Sequence, residues 1–294
     1  MLDGIRGFVA FGCAVGIVAV LAGYYGSAHP AFDTLAAGRL HAIVAFAGVF
    51  VFAMAFAALT ARFLALAGIV AAAVGIVPWL TPQDPIGATD VRLFSQNMRF
   101  DNADPAATVA AFERIAADVV TLQEVTAPNR AALPRFRTEV YCELGPIGDV
   151  VILSQYNLIG RPGCARGQGV AWARLRAPAG EVTVATLHMP WPWPYGPQQA
   201  QVARVGALLA ELEEPLIILG DLNAMPWSFA TRELEALTGT RVAGGLRLTF
   251  QDPRFWPGLP LDHVLISEDL AVLVEKMEAG GSDHAGLFAR MRFR

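Results

Sequence analysis

Three apolar runs, residues 7–25, 40–59 and 63–80, dominate the start of the chain. Each approaches the roughly 20 residues a helix needs to cross the ~30 Å hydrocarbon layer of a membrane. His41 is the only histidine or charged residue inside them. Gly and Ala are frequent, as in helices that approach one another closely in lipid, and Tyr24, Tyr25 and Trp79 stand at run ends, where interfacial aromatics belong. A buried helical hairpin of a soluble protein is the alternative, and three successive runs with almost no polar face argue against it. The charge distribution agrees. Only 16% of the 294 residues are charged, against about 25% in ordinary soluble domains, and the deficit is local. Before Asp84 the charged residues are Asp3, Arg6, Asp33, Arg39 and Arg62 alone. The sequence therefore divides into a membrane segment over 1–82 with three transmembrane helices, a linker over 83–89 in which Pro85 and Gly87 break regular structure, and a globular domain over 90–294.

Orientation rests on few charges. In a three-span arrangement Arg6 and Arg62 fall on one side and Arg39 and Arg92 on the other, so the positive-inside rule is nearly silent. A short tail carrying Arg6 favours an inside N-terminus, and three crossings then place the domain outside the cytoplasm. If the first run is instead a cleaved signal peptide, with small residues near Ser27 and Ala28, two crossings remain and the domain again ends outside.

Beyond the linker, strand-like and helix-like stretches alternate. Residues 91–97, 118–122, 150–154, 170–175, 182–188, 215–220, 261–267 and 286–293 read as strands, and 104–117 and 197–213 as helices. Strands both adjacent and separated by helices point to an α/β layered fold with two sheets. The net charge of −4 argues against broad electrostatic capture of nucleic acid, although the arginines leave room for a local basic patch.

The polar residues fall where these strands end. Asn97 closes the first strand, Gln123 and Glu124 follow the second, and His188 ends V-T-V-A-T-L-H. Asp221 and Asn223 follow L-I-I-L-G, Asp262 opens a further strand, and Asp283 with His284 precedes the last. Apolar strands delivering polar residues to one edge are how α/β proteins assemble sites. Singly, each has a plain structural explanation: an Asp after a buried strand is commonly a turn or capping residue, and a lone His is commonly a satisfied core residue. Their joint occurrence favours a site.

In these motifs, S-Q-N-M from Ser95, L-Q-E-V from Leu122, T-L-H from Thr186, G-D-L-N-A from Gly220, L-D-H-V-L-I-S from Leu261 and G-S-D-H from Gly281, the chain resembles the endonuclease/exonuclease/phosphatase superfamily. That superfamily includes deoxyribonuclease I, abasic-site endonucleases, sphingomyelinases and inositol-phosphate 5-phosphatases. The resemblance spans essentially residues 91–294 and implies a deoxyribonuclease I-like two-sheet sandwich hydrolysing phosphoesters with Mg²⁺ or Mn²⁺. It implies Glu124 as the main metal ligand, with Asn97 beside it and Asp283 completing the shell. It implies Asp221 orienting or deprotonating the attacking water, Asn223 donating to the phosphoryl oxygens, Asp262 holding His284, and His188 as a general acid. Similar domains behind N-terminal membrane spans occur in bacteria, which implies a plasma-membrane location with the catalytic domain outside the cytoplasm.

The substrate is left open between a lipid head group, a nucleotide and nucleic acid. A nuclease and a catalytically inactive binding module on the same fold are the alternatives, and the completeness of the polar set argues against the latter. The loop M-P-W-P-W-P-Y-G-P after His188 has no basic cluster, and the tyrosine motif of abasic-site enzymes is not identifiable. The loop reads either as a rigid segment packed on the domain or as an aromatic wall or membrane-touching loop. Cys142 and Cys164 flank the strand 150–154; they read either as a disulfide, which an oxidising compartment would permit and which would stabilise by about 3 kcal/mol, or as two separate buried thiols.

Overall fold

The computed structural model describes residues 2–294 except Ala57, Thr81, Pro82, Asp84 and Pro85. Part of the predicted linker, Asp84 and Pro85, lies outside the described residues. The apolar runs form helices α1 (Leu2–Ala22), α3 (Arg39–Ala55) and α4 (Leu59–Val74), with a short α2 (Pro30–Ala37) ahead of α3. At ~1.5 Å per residue they are about 31, 26 and 24 Å long for α1, α3 and α4. They pack through small residues: the Phe46 ring lies against Gly16 and Gly68, where an added Cβ would come within 2.9 and 2.5 Å of it.

Three membrane-spanning helices were expected, and the three helices do not all have the length and form of a span. Among the described residues, only Asp3–Ala22 is long and apolar enough by itself to cross a membrane. The second run is prolonged by α2, but the α2–α3 pair is bent by 57°, at Gly38, which both ends α2 and precedes α3. The third run stops as a regular α-helix at Gly75 and ends in a 3-10 turn, Val77–Leu80.

Two six-stranded sheets form the rest of the molecule. The first contains β1 (Val91–Asn97), β2 (Val119–Val125), β3 (Thr138–Gly145), β4 (Gly148–Ser154), β11 (Leu270–Lys276) and β12 (Leu287–Phe293), in the order β11-β12-β1-β2-β4-β3. The second contains β5 (Asn157–Ala165), β6 (Val170–Ala177), β7 (Gly180–His188), β8 (Leu216–Asp221), β9 (Arg241–Val242) and β10 (Asp262–Ile266), in the order β5-β6-β7-β8-β10-β9. Alternating strand residues such as Leu93, Ile152, Leu175, Val184, Ile217 and Leu287 are fully buried in one core between the sheets. α5 (Pro105–Arg114) covers the outer face of the first sheet through Phe112 and Ala111. α7 (Pro197–Leu209) and α8 (Phe229–Thr238) cover the second through Val202, Val205 and Leu234. The short α6 (Ala127–Ala131) follows β2. The order of layers is helix, sheet, sheet, helix, and the two-sheet α/β sandwich is the one the sequence predicts.

Cys142 on β3 and Cys164 on β5 are joined in a disulfide, with Cα atoms 5.4 Å apart, so the bridge ties an edge strand of one sheet to an edge strand of the other. The helical segment is fastened to the domain by polar contacts. The Asp33 carboxylate of α2 accepts hydrogen bonds from Phe229 N and Ala230 N at the start of α8, at 2.5 and 3.0 Å, where free backbone N–H groups and the helix dipole favour an anion. Trp227 Nε1 donates to Ala36 O at 2.8 Å. Beyond α4, Gln83 pairs with both backbone groups of Val274 on the edge strand β11, which closes part of an otherwise open sheet edge.

Candidate active site

Strand register brings the polar residues together. β7 and β8 run parallel with His188 opposite Asp221, and β10 runs antiparallel to β8 with Asp262 opposite the same Asp221. Three site residues thus stand side by side across one sheet. β1 and β2 run parallel in the other, ending at Asn97 and Gln123–Glu124. The Asn97 amide crosses between the sheets, donating to Asp221 Oδ2 at 3.1 Å and to Glu124 Oε1 at 2.9 Å. Gly220 allows the close approach of β7 and β8: a Cβ there would run into the Leu187 carbonyl.

Two of these residues sit in strained backbone. Glu124 has φ 56° and Asn223 φ 46°, a left-handed conformation that non-glycine residues hold only where surroundings enforce it. Glu124 lies where the β2–β4 register breaks between Leu122 and Val125. The Asn129 amide donates to the carbonyls of Glu124 and Arg99, and Phe100 N donates to Glu124 Oε2 at 2.9 Å. Asn223 is fixed by its N–H to Asp221 Oδ1 at 2.8 Å and by its amide to Met189 O at 2.8 Å. Gln198 donates to the Asn223 carbonyl from α7.

His284 is held by Asp262, with Nδ1 2.8 Å from Oδ2; this leaves Nε2 3.7 Å from Asp221 Oδ2. His188 Nε2 lies 3.7 Å from the same oxygen and 3.6 Å from Glu124 Oε1. Two imidazoles therefore converge on one carboxylate oxygen. Their electrostatics differ. Burial pulls His284 down, but the charges of Asp262 and Asp221 and the hydrogen bond to Asp262 outweigh it, raising the imidazole to about 10. His188 is driven down to about 4, by burial first and then by the charge on His284. One imidazole is cationic and the other neutral at neutral pH, the separation of roles that acid–base chemistry requires. Burial pushes the Asp221 carboxyl up, against the opposing pull of His284.

Asp221, Asp262 and His284 offer ligand atoms within 4.8 Å of one another, yet the His284–Asp262 hydrogen bond already engages one imidazole nitrogen of that set. Glu124 suits a hard cation better. Each of its oxygens accepts one hydrogen bond and retains lone-pair capacity, and the side chain borders a cavity of about 490 Å³ shared with His188 and Asn223. Oxygen donors of this kind are what Mg²⁺ takes. Asn97 Oδ1 already accepts from Arg99 N at 2.8 Å. Asp283 is partly exposed and acts electrostatically on His284, Arg99 and Arg254; the described contacts do not join it to Asn97 or Glu124. Sequence reasoning missed Asn129 and also the Ser282 hydroxyl, which donates to Asn97 O at 2.7 Å and accepts from His284 N at 3.0 Å. The G-S-D-H motif held the second in plain view; nothing local marks the first.

A two-sheet α/β sandwich with carboxylates and imidazoles gathered at one end is suited to acid–base chemistry. The chain belongs to the endonuclease/exonuclease/phosphatase family, which residues 94–284 match. No curated protein matches it by sequence. Among solved structures it is similar to the endonuclease domain of TRAS1, a telomere-specific non-LTR retrotransposon, at 17% identity and TM-score 0.56, covering 69% of this chain and 98% of that one. A magnesium-bound mutant of beta toxin from Staphylococcus aureus matches at 15% identity and TM-score 0.53, covering 69% and 99%. A mannosyl-6-phosphatase of Bacteroides thetaiotaomicron matches at 15% identity and TM-score 0.54, covering 69% and 100%. At such identities the likeness extends to the fold.

Proposed function

We propose that this chain is a membrane-anchored, Mg²⁺- or Mn²⁺-dependent phosphoesterase acting on phosphodiesters. The observation that carries the reading is the convergence of Asn97, Glu124, His188, Asn223 and His284 around the buried Asp221. Glu124, aided by Asn97, would hold the metal, which when bound supplies positive charge to the phosphoryl oxygens and leaving group. Asp283 is the weaker part of the ligand set, since its partial exposure and neighbouring arginines suit a charge-balancing role.

The remaining work falls to the chain's own groups. Asp221 takes a proton from water as the water oxygen bonds to phosphorus and the P–O bond to the leaving alcohol breaks. Asn223, whose amide donates to Met189 O and at 3.3 Å to Asp221 Oδ2, would turn the longer of these bonds to a phosphoryl oxygen. His284, kept protonated by Asp262, pairs with the anionic phosphate. His188, neutral in the resting site and with Nε2 3.7 Å from Asp221 Oδ2, would relay the proton that Asp221 takes from water to the leaving oxygen, which departs as the alcohol. The mannosyl-6-phosphatase and endonuclease relatives support phosphoester chemistry while differing in substrate.

Anchoring is supported by the apolar surface that α1, α3 and α4 leave uncovered: Phe8 is 77% exposed, Val51 69% and Phe63 65%. A patch of this character needs lipid or a partner. The Cys142–Cys164 bridge favours an oxidising compartment, hence a domain outside the cytoplasm. A fusion at the C-terminus to a reporter active only outside the cytoplasm should be active; activity only from a cytoplasm-specific reporter would reverse this orientation.

The test of function uses the purified full chain with bis(p-nitrophenyl) phosphate and p-nitrophenyl phosphate. Hydrolysis should need Mg²⁺ or Mn²⁺, and Asp221→Ala and His284→Ala should each lower the rate by about 10²–10⁴-fold with the thermal transition retained. Wild-type-like turnover by either variant would sink the mechanism.

A further inference from the structure

Beside the catalytic cleft lies a second cavity of about 420 Å³, within the range of ligand pockets, roughly 300–1,000 Å³. Its walls come from both parts of the chain. Thr34, Ala37, Gly38 and His41 belong to the helical segment, and Trp191 and Leu259 to the catalytic domain. The lining is mostly apolar, as a helix drawn from a membrane segment dictates.

Two residues connect this chamber to the site. Trp191 and Asn223 line both the chamber and the cleft that holds Glu124 and His188. Trp191 stacks on Phe255 at 6.1 Å and meets Phe250 edge-on at 5.6 Å, while Phe250 contacts the His284 ring at 5.0 Å. An aromatic partition therefore runs from the chamber to the catalytic imidazole. Asn223 is 3% exposed and its Oδ1 has no hydrogen-bond partner, an open acceptor that a hydroxyl, a water or a cation in the cleft would satisfy.

The position of the chamber is set by the helices. The turn after α1 lies near Phe229 at Gly26, α2 lies against the catalytic domain through Asp33 and Ala36, His41 at the start of α3 bonds Phe255 O, and Ile76 beyond α4 packs with Met225 and Trp227, so the chamber sits where the apolar bundle meets the polar domain. In a bilayer that is the depth of the lipid head groups. The floor of the chamber leads to α3, whose outward side chains such as Val44 and Val51 are 44% and 69% exposed.

We infer that the chamber receives the apolar chain of an amphiphilic phosphoester drawn from the membrane, whose phosphoryl group then lies in the adjoining cleft at Asn223. The inference rests on the phosphoesterase reading above and adds its substrate class. A nucleic acid fits this arrangement less well, because the arginine of the chamber wall, Arg254, is already paired with Asp252, whereas a polyanion calls for several free cations. Ala37, Thr34 and His41 become specificity determinants with no part in the chemistry.

The test uses the full chain in vesicles of digalactosyldiacylglycerol, a lipid without phosphate. The probes are p-nitrophenyl methyl phosphate and p-nitrophenyl dodecyl phosphate, which share a leaving group and differ only in chain. kcat/KM should favour the dodecyl ester about tenfold or more, since each methylene adds binding in an apolar pocket. Ala37→Trp should abolish that preference and leave methyl-ester turnover unchanged. Separately, maleimide labelling of Thr34→Cys should be slowed by dodecyl phosphate and unaffected by methyl phosphate. Equal kcat/KM for the two esters, or labelling indifferent to dodecyl phosphate, would overturn the chamber while leaving the phosphoesterase reading intact. Failure to hydrolyse either ester with Mg²⁺ would overturn that reading and this inference with it.

Discussion

Asp221 illustrates how much of the site depends on where a side chain is held. Its two oxygens accept from Asn97, from the Asn223 amide and from the Asn223 backbone, and both imidazoles face it. Ser282 supports the arrangement from beneath by linking the Asn97 carbonyl to the His284 amide. Ser282→Ala should therefore lower stability by about 1–2 kcal/mol and reduce turnover more than substrate affinity, which paired denaturation and steady-state kinetics would show; an unchanged kcat would remove Ser282 from the support of the site. His263, like His188, is a buried imidazole whose stability contribution depends on pH. Burial drives it down to about 4, and its Nε2–H donates to Ala224 O at 2.8 Å. Its folded value lies below its unfolded value of 6.5, so the unfolded chain binds the proton first. The contribution of His263 is complete above that unfolded value and lost as pH falls towards the folded one, at up to about 1.4 kcal/mol per pH unit. His263→Gln should flatten the decline of the thermal transition between about pH 6.5 and pH 4.5; an identical decline in the variant would exclude His263 as its source. The residues gathered at the candidate site were legible because they stand at the ends of apolar strand runs or just ahead of them. The conformations that aim them were not: the left-handed Glu124 and Asn223 depend on Asn129 and Met189, residues that sequence separation hides.

At the scale of elements, burial decides what a sequence betrays. β1 spans the predicted 91–97, because its short alternating pattern ends in buried polar residues, and β7 and β8 also fall close to their predicted positions. β5 was not anticipated: Gly160, Arg161, Pro162 and Gly163 interrupt it, and its register breaks between Ile159 and Gly163, as edge strands tolerate. β3 and β11, edge strands of the other sheet, were also missed, although β3 alternates buried with less buried residues from Thr138 to Glu143, a pattern the sequence already carried. α8 carries a Ser228 cap and an αL Gly239 at its end, signals that were present and unread. Its N-terminus also receives Asp33, so Asp33→Ala should cost about 1–2 kcal/mol of stability, measured as a lower thermal transition of the full chain. No change would deny α2 its role as a fastener. Reducing the Cys142–Cys164 bridge should cost about 3 kcal/mol, and a thermal transition indifferent to reductant would contradict that figure.

Across the whole molecule, the division into an apolar segment and an α/β domain was evident from the placement of charge, whereas the way the parts meet was not. The three apolar runs gave no hint that Gly38 would bend the second or that α2 would lie across the domain. The chamber beside the site needs residues 34–41, 191–193 and 254–261 at once, and no local pattern announces such a meeting. The loop after His188, read as either a rigid segment or an aromatic wall, is partly both: Trp191 packs on Phe250 and Phe255, while Trp193 remains 64% exposed. The central claim is that Glu124 holds a divalent metal that phosphoester hydrolysis needs. Its most direct test is the rate of bis(p-nitrophenyl) phosphate hydrolysis by the EDTA-stripped full chain as Mg²⁺ is added back, for wild type and for Glu124→Ala. Wild type should regain full activity, and the variant should need about tenfold or more Mg²⁺ or stay inactive. Activity that persists in EDTA, or the same Mg²⁺ dependence in both proteins, would contradict it.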